Sequence, residues 1–368
     1  MNRPLDIVVL GLSLSSSWGN GHATTFRALL RGLQAEGHKV LFLERDVPWY
    51  AAERDLLDPG FCELSYYHAV DELIAGFRRR LASADAVIIG SYVPQGVAVI
   101  DAVAALRPRL LCFYDIDTPV TLAKLDRNDE EYVARRQMPL FDLYFSFSGG
   151  QVIDRLETRY GVSQGTALYC SVDAEQYRHT GEDLEWDLGY LGTYSADRQP
   201  MLERLLIEPA RQLPMMRFVV AGPQYPDHIE WPANVARIEH LPPADHPSFY
   251  SRQRFTLNLT RAAMTAAGWS PSVRLFEAAA CRTPIISDFW RGLDELFAKD
   301  EAIIIARDAS EVVEALICLP AEKRQRMADA AYRIVHDRHT GRARARQLVS
   351  ALVTSRQRAD QSAQGISA

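Results

Sequence analysis

Short apolar runs alternate with amphipathic stretches along the first half of the chain. DIVVLGLS (6–13), KVLFLER (39–45), DAVIIGS (85–91), RLLCFYD (109–115) and LYFSFS (143–148) are almost continuously apolar and rich in β-branched or aromatic residues. Strands covered on both faces carry this pattern, so each run predicts a buried strand. Between the first two, HATTFRALLRGLQAEG (22–37) places Phe26, Leu29, Leu30 and Leu33 on one helix face, with Gly37 as a stop. The second half restarts the alternation. Strands are predicted at 186–194, 216–222, 235–241, 255–260, 284–288 and 302–306, and helices at 197–212, 245–252, 272–281, 291–298, 309–318 and 320–337. The fold class is therefore α/β, with two doubly wound parallel sheets in sequence, joined near the polar stretch 171–185.

Two segments fit the alternation less well. Residues 47–70 read as an irregular loop whose Trp49, Tyr50, Tyr66 and Tyr67 either stack on a ligand or pack internally. Residues 340–358 (TGRARARQLVSALVTSRQR) read as a helix with a solvated basic face, open also to peripheral contact with a membrane surface or an acidic partner. The final ten residues, small and polar, are expected to fray.

Composition narrows the class. The chain has 368 residues, 48% hydrophobic and 24% charged, with a formal net charge of -6. That excludes extensive disorder, and a whole-molecule attraction for nucleic acid is not expected. Five scattered cysteines without a C-x-x-C pair indicate neither a disulfide framework nor a zinc knuckle, which fits a reducing, cytoplasmic setting. No apolar stretch reaches the length of roughly 20 residues that a transmembrane helix needs. The apolar N-terminal run reads as a first strand and not as a signal peptide.

Ligands of doubly wound sheets bind beyond the carboxyl ends of the strands, so the loops there are the places to search. After the first strand, SSSWGNGH (15–22) supplies Gly19 and Gly21 for close backbone approach, with His22 opening the helix as a site residue or a structural cap. After the fourth, FYDIDTPV (113–120) sets Asp115 and Asp117 before Thr118-Pro119; helix capping, a base or ligand role, and a metal site all remain open for them. In the second half, LGTYSADR (191–198) offers Gly192, Tyr194 and Arg198 between a strand and a helix, a setting for diphosphate, and VVAGPQYP (219–226) adds Gly222 and Pro223. The run AGWSPSVRLFEAAACRTPIISDFWRGLDELF (267–297) is the most informative. Ser270 and Ser272 flank a helix start, and Arg274 and Glu277 lie three apart on one face. A glutamate in such an apolar helix either pairs with Arg274 or receives a ligand hydroxyl while Arg274 takes phosphate.

At this run the sequence resembles glycosyltransferases of the GT-B fold, and more narrowly the spore-maturation CgeB-like family. The resemblance rests on SPSVRLFEAAACRTPIISD, GLDELF (292–297), RDASEVVEAL (307–316) and HTGRARARQL (339–348), with LGTYSADR and CFYDIDTP upstream. It implies two Rossmann-like domains facing a cleft: 1–172 for the acceptor, 173–338 for the nucleotide sugar, and 339–368 as a helix crossing back to the first domain. It further implies a nucleoside-diphosphate-sugar donor, an acceptor of unspecified kind, no metal and no cofactor, with His22, Asp115 and Asp117 as candidates for the base. Gly192, Tyr194, Arg198, Gly222, Pro223, Ser270, Ser272, Arg274 and Glu277 would bind the donor, Glu277 matching the second glutamate of the E-x7-E motif of related retaining enzymes. Two positions depart from that motif: Trp269 stands where the first glutamate falls, and Arg282 where glycine is usual. The departure at Trp269 leaves the donor-sugar contact and a retaining outcome open and favours a non-catalytic nucleotide-sugar binder as one alternative; a sugar-nucleotide epimerase on the same fold is another.

Overall fold

The structure, a computed structural model, describes residues 3–18 and 21–365. The chain divides into two compact units, one formed by residues 1–171 with 341–368 and the other by Val172–Thr340. The strands of the first unit are β1 (Asp6–Gly11), β2 (Lys39–Arg45), β3 (Glu63–Tyr67), β4 (Ala86–Gly90), β5 (Leu111–Asp115), β6 (Leu143–Ser146) and β7 (Gly165–Ala167). They form one parallel sheet in the order β3-β2-β1-β4-β5-β6-β7. Helices α1 (His22–Ala35), α2 (Pro48–Ala51), α3 (Val70–Ser83), α4 (Gly96–Ala105), α5 (Thr118–Asp126) and α6 (Gln151–Tyr160) connect them. The near-continuous apolar runs become strands buried along their length, as two-sided cover requires.

The second unit repeats the plan with β8 (Leu188–Leu191), β9 (Phe218–Ala221), β10 (Val235–Ile238), β11 (Thr256–Asn258), β12 (Ile285–Ser287) and β13 (Ile304–Ile305), ordered β10-β9-β8-β11-β12-β13. Its helices are α7 (Gln199–Leu202), α8 (Glu208–Gln212), α9 (His246–Ser251), α10 (Ala262–Ala267), α11 (Val273–Ala280), α12 (Leu293–Leu296), α13 (Ala309–Cys318) and α14 (Ala321–Arg338). One π-type turn, Glu203–Ile207, joins α7 to α8 just ahead of Pro209, whose missing N–H disrupts the regular ladder there. Each sheet therefore reverses its winding at its first strand, between β1 and β4 and between β8 and β11. Those reversals are the switch points where strand-end loops diverge and leave room for a ligand.

The last helix, α15 (Gly341–Gly365), belongs to the first unit, where it packs on α1. Glycine at 341 is required: a Cβ there would stand 1.9 Å from the carbonyl oxygen of Ala28. The expected basic face on a packed helix is present, with Arg342 and Arg346 exposed, but Arg344 departs from it. Arg346 meets Glu36 at 3.0 Å, Arg342 pairs with the same carboxylate, and Arg356 meets Asp85 at 3.1 Å. Arg344 is buried over the Tyr169 ring at 5.3 Å, and burial pulls its guanidinium down to about 10. These arginines dock the helix. It also runs through Gly365, so 359–365 is helical and not frayed as expected; residues 366–368 lie outside the described residues.

Segment 47–70 is likewise no irregular loop: it contains α2 and β3. Tyr67, Tyr50 and Phe61 are buried in the unit and Tyr66 lies under the Arg54 guanidinium at 4.1 Å, so packing accounts for four of its five aromatics; Trp49 stays exposed. The weak alternation failed to signal β3 because an edge strand buries little of its length.

Candidate active site

In the second unit, the loops after β8 and β9 are welded together. Gly192 N–H donates to Ala221 O at 2.8 Å, Tyr194 N–H to Pro223 O at 3.0 Å, and the Tyr225 hydroxyl to Gly192 O at 3.0 Å. Gly222 has φ +139°, and a Cβ on it would lie 2.1 Å from Gly192 O, so this close approach needs glycine. Arg237 clamps the second loop from below through Val220 O (2.7 Å) and Gly222 O (3.0 Å), stacked on Tyr225 and Trp231. Tyr194 meets Tyr225 edge-on, and Pro223 is exposed.

Above this base stand Arg198 and Arg274. Arg198 caps the start of α7 and donates through Nη2 to Thr193 O at 2.7 Å. Arg274, on the first turn of α11, donates through Nη2 to Leu259 O at 2.9 Å, with its guanidinium 5.7 Å from the Tyr190 ring. Both side chains are half-buried, and the Nε of each is buried without a partner. Among the described residues neither forms an ion pair. Burial first, and the Arg274 charge second, depress the pKa of Arg198. Two guanidiniums that repel each other, with Asp197 and Asp288 near enough to feel them but not ion-paired to them, leave donors that an arriving anion can satisfy. The buried hydroxyl of Tyr190 lies there too, unpartnered.

Helix α11 begins at Ser272, whose hydroxyl accepts the N–H of Arg274 at 3.2 Å. Ser270 is fully buried and donates to Gly268 O at 2.7 Å, which fixes the approach to the helix. Glu277, one turn on, is 5% exposed, and its Oε2 accepts the Tyr250 hydroxyl at 3.1 Å. It forms no ion pair with Arg274 among the described residues, so the pairing weighed as one alternative is absent. Trp269 adopts φ +41° and donates its indole N–H to Glu295 at 2.8 Å, packing on Gly292. Arg282 sits at φ +55°, the backbone region glycine favours, and pairs with Asp329.

One cluster escaped the sequence reading. Asp288, at the carboxyl end of β12, accepts both the N–H and the hydroxyl of Thr260 at 3.0 Å, and Asn258 donates to Ser287 at 2.9 Å while its Oδ1 is buried without a partner. Burial pushes the Asp288 carboxyl up, while Thr260 and the Arg274 charge pull it back. Its only sequence signal was a carboxylate ending an apolar run.

In the first unit, the start of the helix after β1 and the loop after β5 bring His22 and Asp117 together, Nε2 to Oδ2 at 3.5 Å. His22 is buried at the first turn of α1, edge-on to Tyr92, which itself takes φ +62° and packs on Tyr132. Its Nδ1 is buried and unpartnered. Gly21 precedes it, while Gly19 lies outside the described residues. Asp115 points elsewhere: fully buried, it accepts from Tyr144 (2.5 Å), Thr121 (2.8 Å) and the N–H of Asp117 (3.1 Å). Burial raises its carboxyl to about 6, against the pull of those hydrogen bonds. The two carboxylates therefore do not converge on one point. Asp115 holds the turn that presents Asp117.

Residues 198–350 match the family model described as glycosyl transferase-like. No curated protein matches the chain. Solved structures do match along its length. The structure of Anabaena Alr3699/HepE in complex with UDP-glucose is 14% identical, covering 95% of this chain and 100% of its own, with a TM-score of 0.70. The sucrose-phosphate synthase from Thermosynechococcus elongatus is 12% identical over 95% and 98%, at a TM-score of 0.66. The glycosyltransferase AviGT4, involved in avilamycin A biosynthesis, is 15% identical over 96% and 98%, at a TM-score of 0.63. The chain has the GT-B fold. Its two parallel sheets are the two Rossmann-like domains of that fold, and the matched family segment opens at Arg198 and includes Arg274 and Glu277. No helix among the described residues is long and apolar enough to cross a membrane.

Proposed function

We propose that this GT-B chain is a glycosyltransferase of the CgeB-like branch that moves a hexose from a nucleoside-diphosphate sugar to an acceptor hydroxyl. The observation that carries the reading is the pair of half-buried guanidiniums of Arg198 and Arg274, neither in an ion pair among the described residues and each with an unpartnered Nε, at the switch point of the second unit. The likeness to a structure holding UDP-glucose and the family match over 198–350 support it.

As the bond from the anomeric carbon to the diphosphate breaks, negative charge grows on the departing oxygens. Arg198 and Arg274 neutralise that charge in the place a divalent ion would otherwise take, so the reading needs no metal. Glu277 accepts a ribose hydroxyl. The loops at Gly192, Tyr194, Gly222 and Pro223, with Ser270 and Ser272 shaping the start of α11, form the floor. In the first unit, the His22 and Asp117 pair receives the acceptor proton as the new bond to carbon forms, while Asp115 keeps the loop in place. The acceptor is a glycan, a protein or a small molecule.

The test is a donor screen by thermal shift, followed by mass spectrometry of the released nucleotide with and without candidate acceptors and with a chelator present. Transfer that survives chelation supports the reading. Donor rearrangement without an acceptor points to an epimerase, donor binding without release under any acceptor points to a non-catalytic binder, and failure of every nucleotide sugar to bind overturns all three.

A further inference from the structure

Behind Glu277 lies a buried chain of polar groups that the transfer chemistry leaves unused. The Tyr250 hydroxyl, from α9, donates to Glu277 Oε2 at 3.1 Å. The Tyr177 hydroxyl, from the segment that enters the second unit, lies beside the same carboxylate, which together with burial drives its pKa upward. It is also 3.1 Å from His246 Nδ1, and His246 Nε2 is 3.3 Å from the carbonyl oxygen of Leu241. Tyr250 is 1% exposed and Tyr177 3%.

Proton counting gives these distances a direction. A carbonyl oxygen only accepts, so the hydrogen bond to Leu241 places a proton on Nε2. In the neutral ring Nδ1 is then an acceptor, and the Tyr177 proton turns toward it and away from Glu277. In the protonated ring Nδ1 is a donor. The Tyr177 oxygen accepts from it, and the Tyr177 proton is released toward the carboxylate. Other charged or titratable neighbours are Asp173 and Cys281 about Tyr177, Arg274 about Tyr250, and Asp245 immediately before His246 in the chain.

We propose that Tyr250, together with Tyr177 and His246, forms a proton-sensitive positioning network that orients the Glu277 carboxylate toward the ribose of a nucleoside diphosphate. Tyr250 supplies a fixed hydrogen bond, and Tyr177 adds a second when His246 is protonated. This inference rests on the reading of Glu277 as the ribose contact.

The experiment measures affinities of the full chain for UDP, ADP, GDP and inorganic pyrophosphate by calorimetry from pH 5.5 to 8. Variants are E277Q, Y250F, Y177F and H246Q, with melting temperatures recorded for each. Y250F is expected to weaken the preferred nucleoside diphosphate about tenfold, the scale of one hydrogen bond to a charged group, and to leave pyrophosphate unchanged. The ratio of wild-type to Y177F affinity is expected to rise as the pH falls toward 5.5, and H246Q is expected to abolish that rise. If E277Q weakens the nucleotide while Y250F and Y177F do not, the network is overturned and the ribose contact stands. If E277Q leaves nucleotide affinity intact, or no nucleoside diphosphate binds the wild type, the ribose reading falls and the network with it. Equal losses for pyrophosphate and nucleotide in Y250F, or a ratio independent of pH, also overturn the proposal. Should Y250F not fold, Y177F and H246Q decide it through the pH dependence.

Discussion

The two units share a plan and differ in how they treat charge at the carboxyl ends of their strands. In the first, nearly every buried charge is answered. Glu44 is fully buried and accepts from Leu14 N–H, Ser15 N–H and the hydroxyls of Ser13 and Ser15, while Arg27 pairs with Asp55 and Arg54 with Asp46. In the second, Arg198 and Arg274 share a neighbourhood and neither forms an ion pair among the described residues, although Asp197 and Asp288 feel their charges. Compensated charge builds scaffold, whereas half-buried charge without an ion pair is the pattern a ligand site is expected to carry. The His22 and Asp117 contact, at 3.5 Å with an orphaned Nδ1, is a looser exception in the first unit, and it lies beyond the carboxyl ends of β1 and β5.

The largest expected effect would break the comparison if it failed. The double variant R198A/R274A should lose about 100-fold or more in pyrophosphate affinity, roughly two charge-assisted hydrogen bonds at about 1.5–3 kcal/mol each. Its melting temperature should hold or rise, since the change removes like-charge repulsion; a sharp fall in melting temperature would make these arginines scaffold like those of the first unit. Asp115→Ala should do the opposite, lowering stability by about 3 kcal/mol in chemical denaturation because Tyr144 and Thr121 lose a buried acceptor.

A smaller effect concerns pH. The folded Asp115 carboxyl titrates at about 6, above an unfolded value of about 3.9. The folded state therefore holds the proton more tightly, and stability contributed by this group falls as the pH rises from about 4 to about 6. Denaturant melts of wild type and D115N across that window should show the wild type gaining relative to D115N as the pH is lowered; parallel curves would remove Asp115 as a titrating group. The smallest change is expected for Arg356→Ala. Asp85 keeps Arg3 and Arg109, so the loss should stay under about 1 kcal/mol by the same melts.

Much of the fold was legible because buried parallel strands must be continuously apolar. KVLFLER became β2 over the same residues, 39–45, and the helix expected at 309–318 matches α13. What was missed lacked that signal: β3 carries no continuous apolar run, and α10 buries none of its residues. Of the candidate site, Arg274 and Glu277 stood out as charged residues in an otherwise apolar helix, and Arg198 as a cation where a glycine-containing loop enters a helix. Asp288, Tyr190, Tyr250 and Tyr177 did not. A tyrosine within an apolar strand or helix reads as core, and only its hydroxyl's neighbours show what it does.

The sequence by itself determined the two α/β units, since periodicity and burial are local consequences of residue order. It also determined where strand-end loops had to be searched. Only the tertiary structure decided which charges would be answered. Asp115 and Asp117 are two residues apart, yet one turns into the core and the other toward His22, and Arg274 and Glu277 lie three apart without pairing. Those partners come from distant positions brought in by the sheet, and Coulomb and hydrogen-bond energies depend on distance in space.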